Sequence, residues 1–333
     1  MSAQQSASDE PLDPTNPSTW IHEPPGTDEA RRKRQEKQKS NGNDASASLR
    51  LLRVINPTNL EFEPVQEREW IVPHWLPIDG VTANYGDGGV GKTLLAQQLM
   101  TACATKTAWC GLAVKPCRSF GLFCEDDEAE LHRRQVRICE HLDIGLARLD
   151  DMRWVSGLGQ DNTFAVFTAN GRMHTTERYE AIESAVKDHK ARLVVFDTAA
   201  DLFAGNENDR QHVRQFIGLL NHLRLEINGA VLLNAHPSRD AMKTGLLDGG
   251  STMWNNGVRS RWSLARPGAK PDAADQPDTD QRILTRRKSN YASTGETIPL
   301  RWVRRVYRSR KGRTATNRRS ILHGICRSER WDG

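Results

Sequence analysis

The segment Gly86-Asp87-Gly88-Gly89-Val90-Gly91-Lys92-Thr93 is a full match to the pattern GxxxxGK[ST]. No other stretch of the chain constrains its fold as strongly. Glycines let successive backbone N–H groups curl around an anion, where a side chain would block the approach. Such a loop needs a strand to deliver it and a helix to leave it, because the helix N-terminus adds partial positive charge. Both flanks comply: Val81–Tyr85 is strand-like, and Lys92–Thr105 reads as an amphipathic helix. Gly86, Asp87, Gly88, Gly89, Val90, Gly91, Lys92 and Thr93 are therefore the expected nucleotide-binding residues. Lys92 is expected to reach the β- and γ-phosphates of ATP, and the Thr93 hydroxyl to bind Mg²⁺.

Around this loop the chain alternates apolar runs with amphipathic stretches. Strand-like runs are Phe120–Cys124, Met152–Val155, Leu193–Phe196 and Ala230–Asn234. Helix-like patterns are Glu128–His141, Thr176–His189 and Asp209–Ile227. The last places Val213, Phe216, Ile217, Leu220 and Leu223 in one stripe. This alternation predicts an α/β fold, a mainly parallel twisted sheet flanked by helices on both faces. Two later runs, Arg282–Leu284 and Thr297–Val303, are suited to an antiparallel edge.

The remainder reads as polar appendage. Hydrophobic residues are 37% of the chain, too few for 333 residues all packed in domains. Residues 1–58 read as a disordered polar arm, with six positive charges between Arg31 and Lys39. Residues 59–305 form the expected ATPase domain, and 306–333 a basic tail. The last 33 residues hold eleven Lys/Arg against two acids, so a net charge of +5 conceals an acidic remainder. No run approaches the ~18 apolar residues of a membrane span, and the N-terminus is unlike a secretory leader. A cytoplasmic protein without a membrane partner is expected. Six cysteines without a CxxC or zinc-like spacing read as reduced thiols.

Three further positions complete a candidate site. The run Leu193–Phe196 ends in Asp197, about 100 residues after the loop, where a carboxylate at the sheet's carboxyl edge would serve Mg²⁺. Strand Phe120–Cys124 runs into Glu125-Asp126-Asp127-Glu128. Glu125 is the first choice as general base and Asp126 the second, while Asp127 and Glu128 suit a helix start. Strand Ala230–Asn234 leads to His236, a candidate γ-phosphate sensor. Beyond it, Arg239 and Lys243 are candidate DNA contacts in a glycine-rich loop.

Together these residues resemble the RepA-like AAA-type ATPases of the RecA-like hexameric helicase superfamily, found in plasmid and phage replication. The pieces that carry the resemblance run from Trp70-Ile71-Val72-Pro73 through the Gly86–Thr93 loop, Phe123–Asp127 and Val194–Asp197. It continues through Gly205–Asp209, Ala235–Ser238 and Gly250–Trp262. The resemblance implies a RecA-like P-loop NTPase core with ATP and Mg²⁺ as cofactors. It implies Glu125 as the catalytic glutamate, Asp197 at the Mg²⁺ site and His236 as the sensor. Arg259 resembles the arginine that reaches a neighbouring subunit's site, with Arg261 as the fallback. A homo-oligomer, a hexameric ring acting on single-stranded DNA beside replication proteins, follows from the same likeness. One departure is the tail: Arg308–Gly333 is unpatterned where related chains carry an ordered extension. The leading function is a helicase or translocase, and the alternative an ATP-gated DNA-binding or helicase-loading protein that unwinds nothing. A small-molecule kinase would need an acceptor pocket that the sequence does not offer.

Overall fold

The structure, a computed structural model, describes residues 54–237, 252–268, 280–303 and 326–328. The chain divides into two compact units between Gln66 and Glu67. In the first, Pro57–Leu60 makes a 3₁₀ turn whose cap, Asn56, accepts from the Thr58 N–H.

The second unit begins with a two-stranded ribbon, β1 (Trp70–Val72) and β2 (Leu76–Pro77). Then come β3 (Val81–Tyr85), α1 (Lys92–Thr105), β4 (Ser119–Phe123), α2 (Glu128–Leu142) and β5 (Met152–Ser156). A hairpin, β6 (Ala165–Phe167) and β7 (Met173–Thr175), leads to α3 (Glu177–Asp188), β8 (Leu193–Asp197) and a short α4 (Ala199–Leu202). The chain continues through α5 (Arg210–Glu226), β9 (Ala230–Ala235), α6 (Thr252–Gly257) and β10 (Ser260–Ala265). It ends with β11 (Gln281–Ser289), β12 (Thr297–Trp302) and β13 (Cys326–Ser328).

Among the described residues, nine strands form one sheet in the order β13-β12-β11-β10-β3-β9-β8-β4-β5. The six from β10 to β5 are parallel, and β11, β12 and β13 add an antiparallel edge. Strand alternation divides the apolar side chains between two cores. Val194 and Phe196 of β8 join Val81, Ala83 and Tyr85 of β3 under α3 and α5, whereas Leu193 and Val195 face α1 and α2. The α5 stripe from Val213 to Leu223 is buried as its spacing predicts. Thus the α/β sheet flanked by helices is observed.

Several features differ from the sequence reading. Helix α1 is not amphipathic: ten of its fourteen residues are buried, including Gln97 and Thr101. An amphipathic helix would turn such polar residues to solvent. Instead Gln97 donates to the Leu131 carbonyl, and Thr101 accepts from Gln135. Strand β11 is three times the length expected. Strand β10, the β6–β7 hairpin and β13 lie where no strand was predicted. Among the described residues no helix is long and apolar enough to cross a membrane.

Candidate functional site

Strand β3 delivers the glycine loop to the carboxyl edge of the sheet, and α1 starts at Lys92 directly behind it. Gly91 has φ 105°, which a residue with a side chain rarely adopts, and a Cβ there would lie 2.3 Å from the Trp302 indole. Gly88 and Gly89 are exposed. Lys92 is buried, its Nζ donating to the carbonyls of Gly86 at 2.7 Å and Asp87 at 3.2 Å. Burial holds the Lys92 pKa below the usual lysine value, against the opposing pull of Asp197, Glu125 and Asp87.

Strand β9 separates β3 from β8, so Asp197 reaches the loop across one strand. Its Oδ2 accepts from the Thr93 hydroxyl at 2.6 Å. The carboxyl is 2% exposed, and burial pushes its pKa up to about 6 against that hydrogen bond. Among the described residues its other oxygen, Oδ1, has no hydrogen-bond partner. Asn234, the register neighbour on β9, has a buried amide nitrogen likewise without one among the described residues, and its side chain opposes the rise in the Asp197 pKa. Asn234 Oδ1 in turn accepts from Asn84 on β3 at 2.9 Å. This pair was missed in the sequence; its signal was a polar residue interrupting each of two apolar strands.

Glu125 and His236 meet at the same edge. His236 Nδ1 lies 3.4 Å from Lys92 Nζ, and Nε2 lies 3.3 Å from Glu125 Oε1. Lysine has only donors, so Nδ1 accepts and the ring proton belongs on Nε2, which donates to the carboxylate. The His236 hydrogen bond, opposed by desolvation, holds the Glu125 pKa below the ordinary glutamate value. Asp126 is engaged elsewhere: Arg134 donates to both its oxygens, one at 3.0 Å. Asp127 caps α2 by accepting from the Glu130 N–H. Hence Glu125, not Asp126, faces the loop.

Arg259 stands at the other end of the sheet. Its N–H donates to the carbonyl of Val81, at the start of β3. At ~3.3 Å per residue that is roughly 15 Å from the loop that follows β3. The residue is exposed, with its side-chain stem laid over Gly80. Arg261 is 4% exposed and packs within the sheet. Arg239 and Lys243 lie outside the described residues.

These residues suit a metal-bound nucleotide. The cradle excludes a side chain at Gly91, and a buried carboxylate oxygen without a partner among the described residues lies beside a hydroxyl on the same edge. Thr93 and Asp197 offer the oxygen donors that Mg²⁺ favours. A buried, partly unpaired carboxylate is also a stability cost. With a chelator present, Asp197→Asn protein is therefore expected to be more stable than wild type, by about 2 kcal/mol. Chemical denaturation of both proteins checks this; equal or lower stability would mean that the carboxylate is already satisfied.

A strand, a glycine loop closed by Lys and Thr, and a buried acid one strand removed define a P-loop ATPase. More narrowly, the chain belongs to the AAA domain family, whose model matches residues 48–242, more than half of it. No curated protein matches the chain. Among solved structures, one titled a crystal structure of the RadB recombinase is similar at 15% identity with a TM-score of 0.45. That match covers 69% of this chain and 89% of the other.

Proposed function

We propose that this ATPase is a cytoplasmic DNA motor, a helicase or translocase working as a homo-oligomeric, hexameric ring. Its place would be the replication of a plasmid or phage-like element, on single-stranded DNA and beside replication proteins, as the RepA-like resemblance implies. Residues 59–305 would be the motor domain, between the polar arm 1–58 and the basic tail 306–333, from which β13 joins the edge of the sheet. The position of Arg259 carries this reading: exposed, and at the opposite end of the sheet from its own loop. An arginine so placed serves the site of a neighbour or none at all.

Each residue then has a role. The backbone N–H groups of Gly86–Thr93 and the Lys92 ammonium hold the phosphates, and Thr93 and Asp197 would hold Mg²⁺. When bound, the metal offsets negative charge on the phosphoryl oxygens. Glu125 takes the proton of the attacking water, and the His236 hydrogen bond that lowers its pKa keeps the carboxylate ionised. His236 touches both Glu125 and Lys92, so a change at the phosphate end reaches the base through one side chain. Arg259 of an adjacent subunit neutralises charge on the transferring phosphoryl group.

A forked-duplex assay tests the motor. Strand separation is expected with ATP and Mg²⁺, and none with a non-hydrolysable analogue. Tight ATP-dependent DNA binding without strand separation in either case would replace the motor by a loader.

A further inference from the structure

The carbonyl of Val90, inside the glycine loop, accepts two buried side-chain hydrogen bonds. One comes from Trp302 Nε1 at 3.2 Å and the other from Arg282 Nε at 3.1 Å. Both donors belong to the antiparallel edge. Arg282 is the second residue of β11 and Trp302 the last of β12, and the Trp302 N–H donates to the Asp280 carbonyl at 2.7 Å. Arg282 is 1% exposed and Trp302 4%. The Trp302 indole also fills the space that a side chain at Gly91 would need.

The peptide joining Val90 to Gly91 is planar and trans, so its C=O and N–H point in opposite directions. Two donors that hold the Val90 oxygen toward the β11–β12 hairpin therefore aim the Gly91 N–H away from it, into the loop. A reversed peptide would present an oxygen where an anion has to sit. The bonds on the carbonyl, one from a guanidinium, also polarise the peptide and strengthen its N–H as a donor.

We propose that Arg282 and Trp302 are positioning residues for the phosphate cradle, fixing the 90–91 peptide with its N–H toward the bound phosphates. The proposal rests on the reading of Gly86–Thr93 as the nucleotide site. It makes the antiparallel edge part of the binding apparatus, not a cover for the sheet.

Two conservative variants separate positioning from packing. Trp302→Phe keeps an aromatic ring against Gly91 and removes the N–H; Arg282→Lys keeps the charge and removes Nε. Binding of a fluorescent ATP analogue with Mg²⁺ is measured on the full chain, alongside steady-state kinetics and melting without nucleotide. Each variant is expected to bind roughly 3–10-fold more weakly, the range one lost hydrogen bond gives. KM is expected to rise more than kcat falls, because binding is lost in the ground state as well as the transition state. Unchanged affinity in both folded variants would overturn the proposal. A second measurement covers variants that fail to fold: wild-type chain carrying fluorotryptophan at position 302 alone. Its ¹⁹F resonance is expected to shift when MgATP is added, and an unmoved resonance under saturating nucleotide would also overturn the proposal. No nucleotide binding by wild type would instead remove the site reading itself, and this inference with it.

Discussion

Arg259→Ala protein is expected to assemble as wild type does and to hydrolyse ATP ~10³–10⁵-fold more slowly, the effect typical of an arginine supplied in trans. The expectation follows from distance. Within one chain Arg259 is level with Val81, while the loop begins at Gly86 on the far side of β3. No rotamer of an arginine spans that separation, so direct contact of Arg259 with a reacting phosphate would have to be made in a neighbouring chain's site. Mixing Arg259→Ala with Lys92→Ala protein distinguishes this from damage within one chain. Some interfaces in the mixture pair an intact loop with an intact arginine, and activity should partly return. No return at any ratio, with mixed oligomers confirmed, would place Arg259 outside the site.

The second large effect is expected at Glu125. Glu125→Gln keeps the length of the side chain and an oxygen that His236 Nε2 can still donate to. What it removes is basicity, so nucleotide binding should persist while turnover falls ~10²–10⁴-fold. Asp126 offers no substitute, because Arg134 holds both of its oxygens. A larger loss of turnover in Asp126→Asn than in Glu125→Gln would reverse that assignment.

The parts of this site that lie on central strands were legible in the sequence. A strand buried on both faces is mostly apolar, so Leu193–Phe196 and Ala230–Asn234 stand out as runs. Each ends where the chain leaves the sheet, which is where Asp197 and His236 stand. Strand β10 escaped notice because Arg261 and Ser263 interrupt its pattern; both are buried, but in surroundings that no local window reveals. Helix α1 misled for the converse reason, its polar Gln97 and Thr101 being satisfied inside the core by partners from α2.

What could not be read was contact between distant segments. Arg282 and Trp302 stand 192 and 212 positions from the carbonyl they hold. Neither belongs to a motif, and both sit in strands whose alternation predicted only an edge. The meeting of Glu125 with His236, 111 positions apart, was foreseen only as a shared sheet edge. Strand order decides such meetings: β9 lies between β3 and β8, and so brings His236 to the loop and Asn234 to Asp197.

The most direct test of the Gly86–Thr93 site as an ATP-hydrolysing centre with Glu125 as its base pairs two readings on the same proteins. These are equilibrium binding of MgATP and the rate of phosphate release, for wild type and Glu125→Gln. The expected result is comparable affinity in both, with phosphate release in Glu125→Gln ~10²–10⁴-fold slower. Wild type that binds MgATP and releases no phosphate above background, or Glu125→Gln that turns over at the wild-type rate, would contradict it.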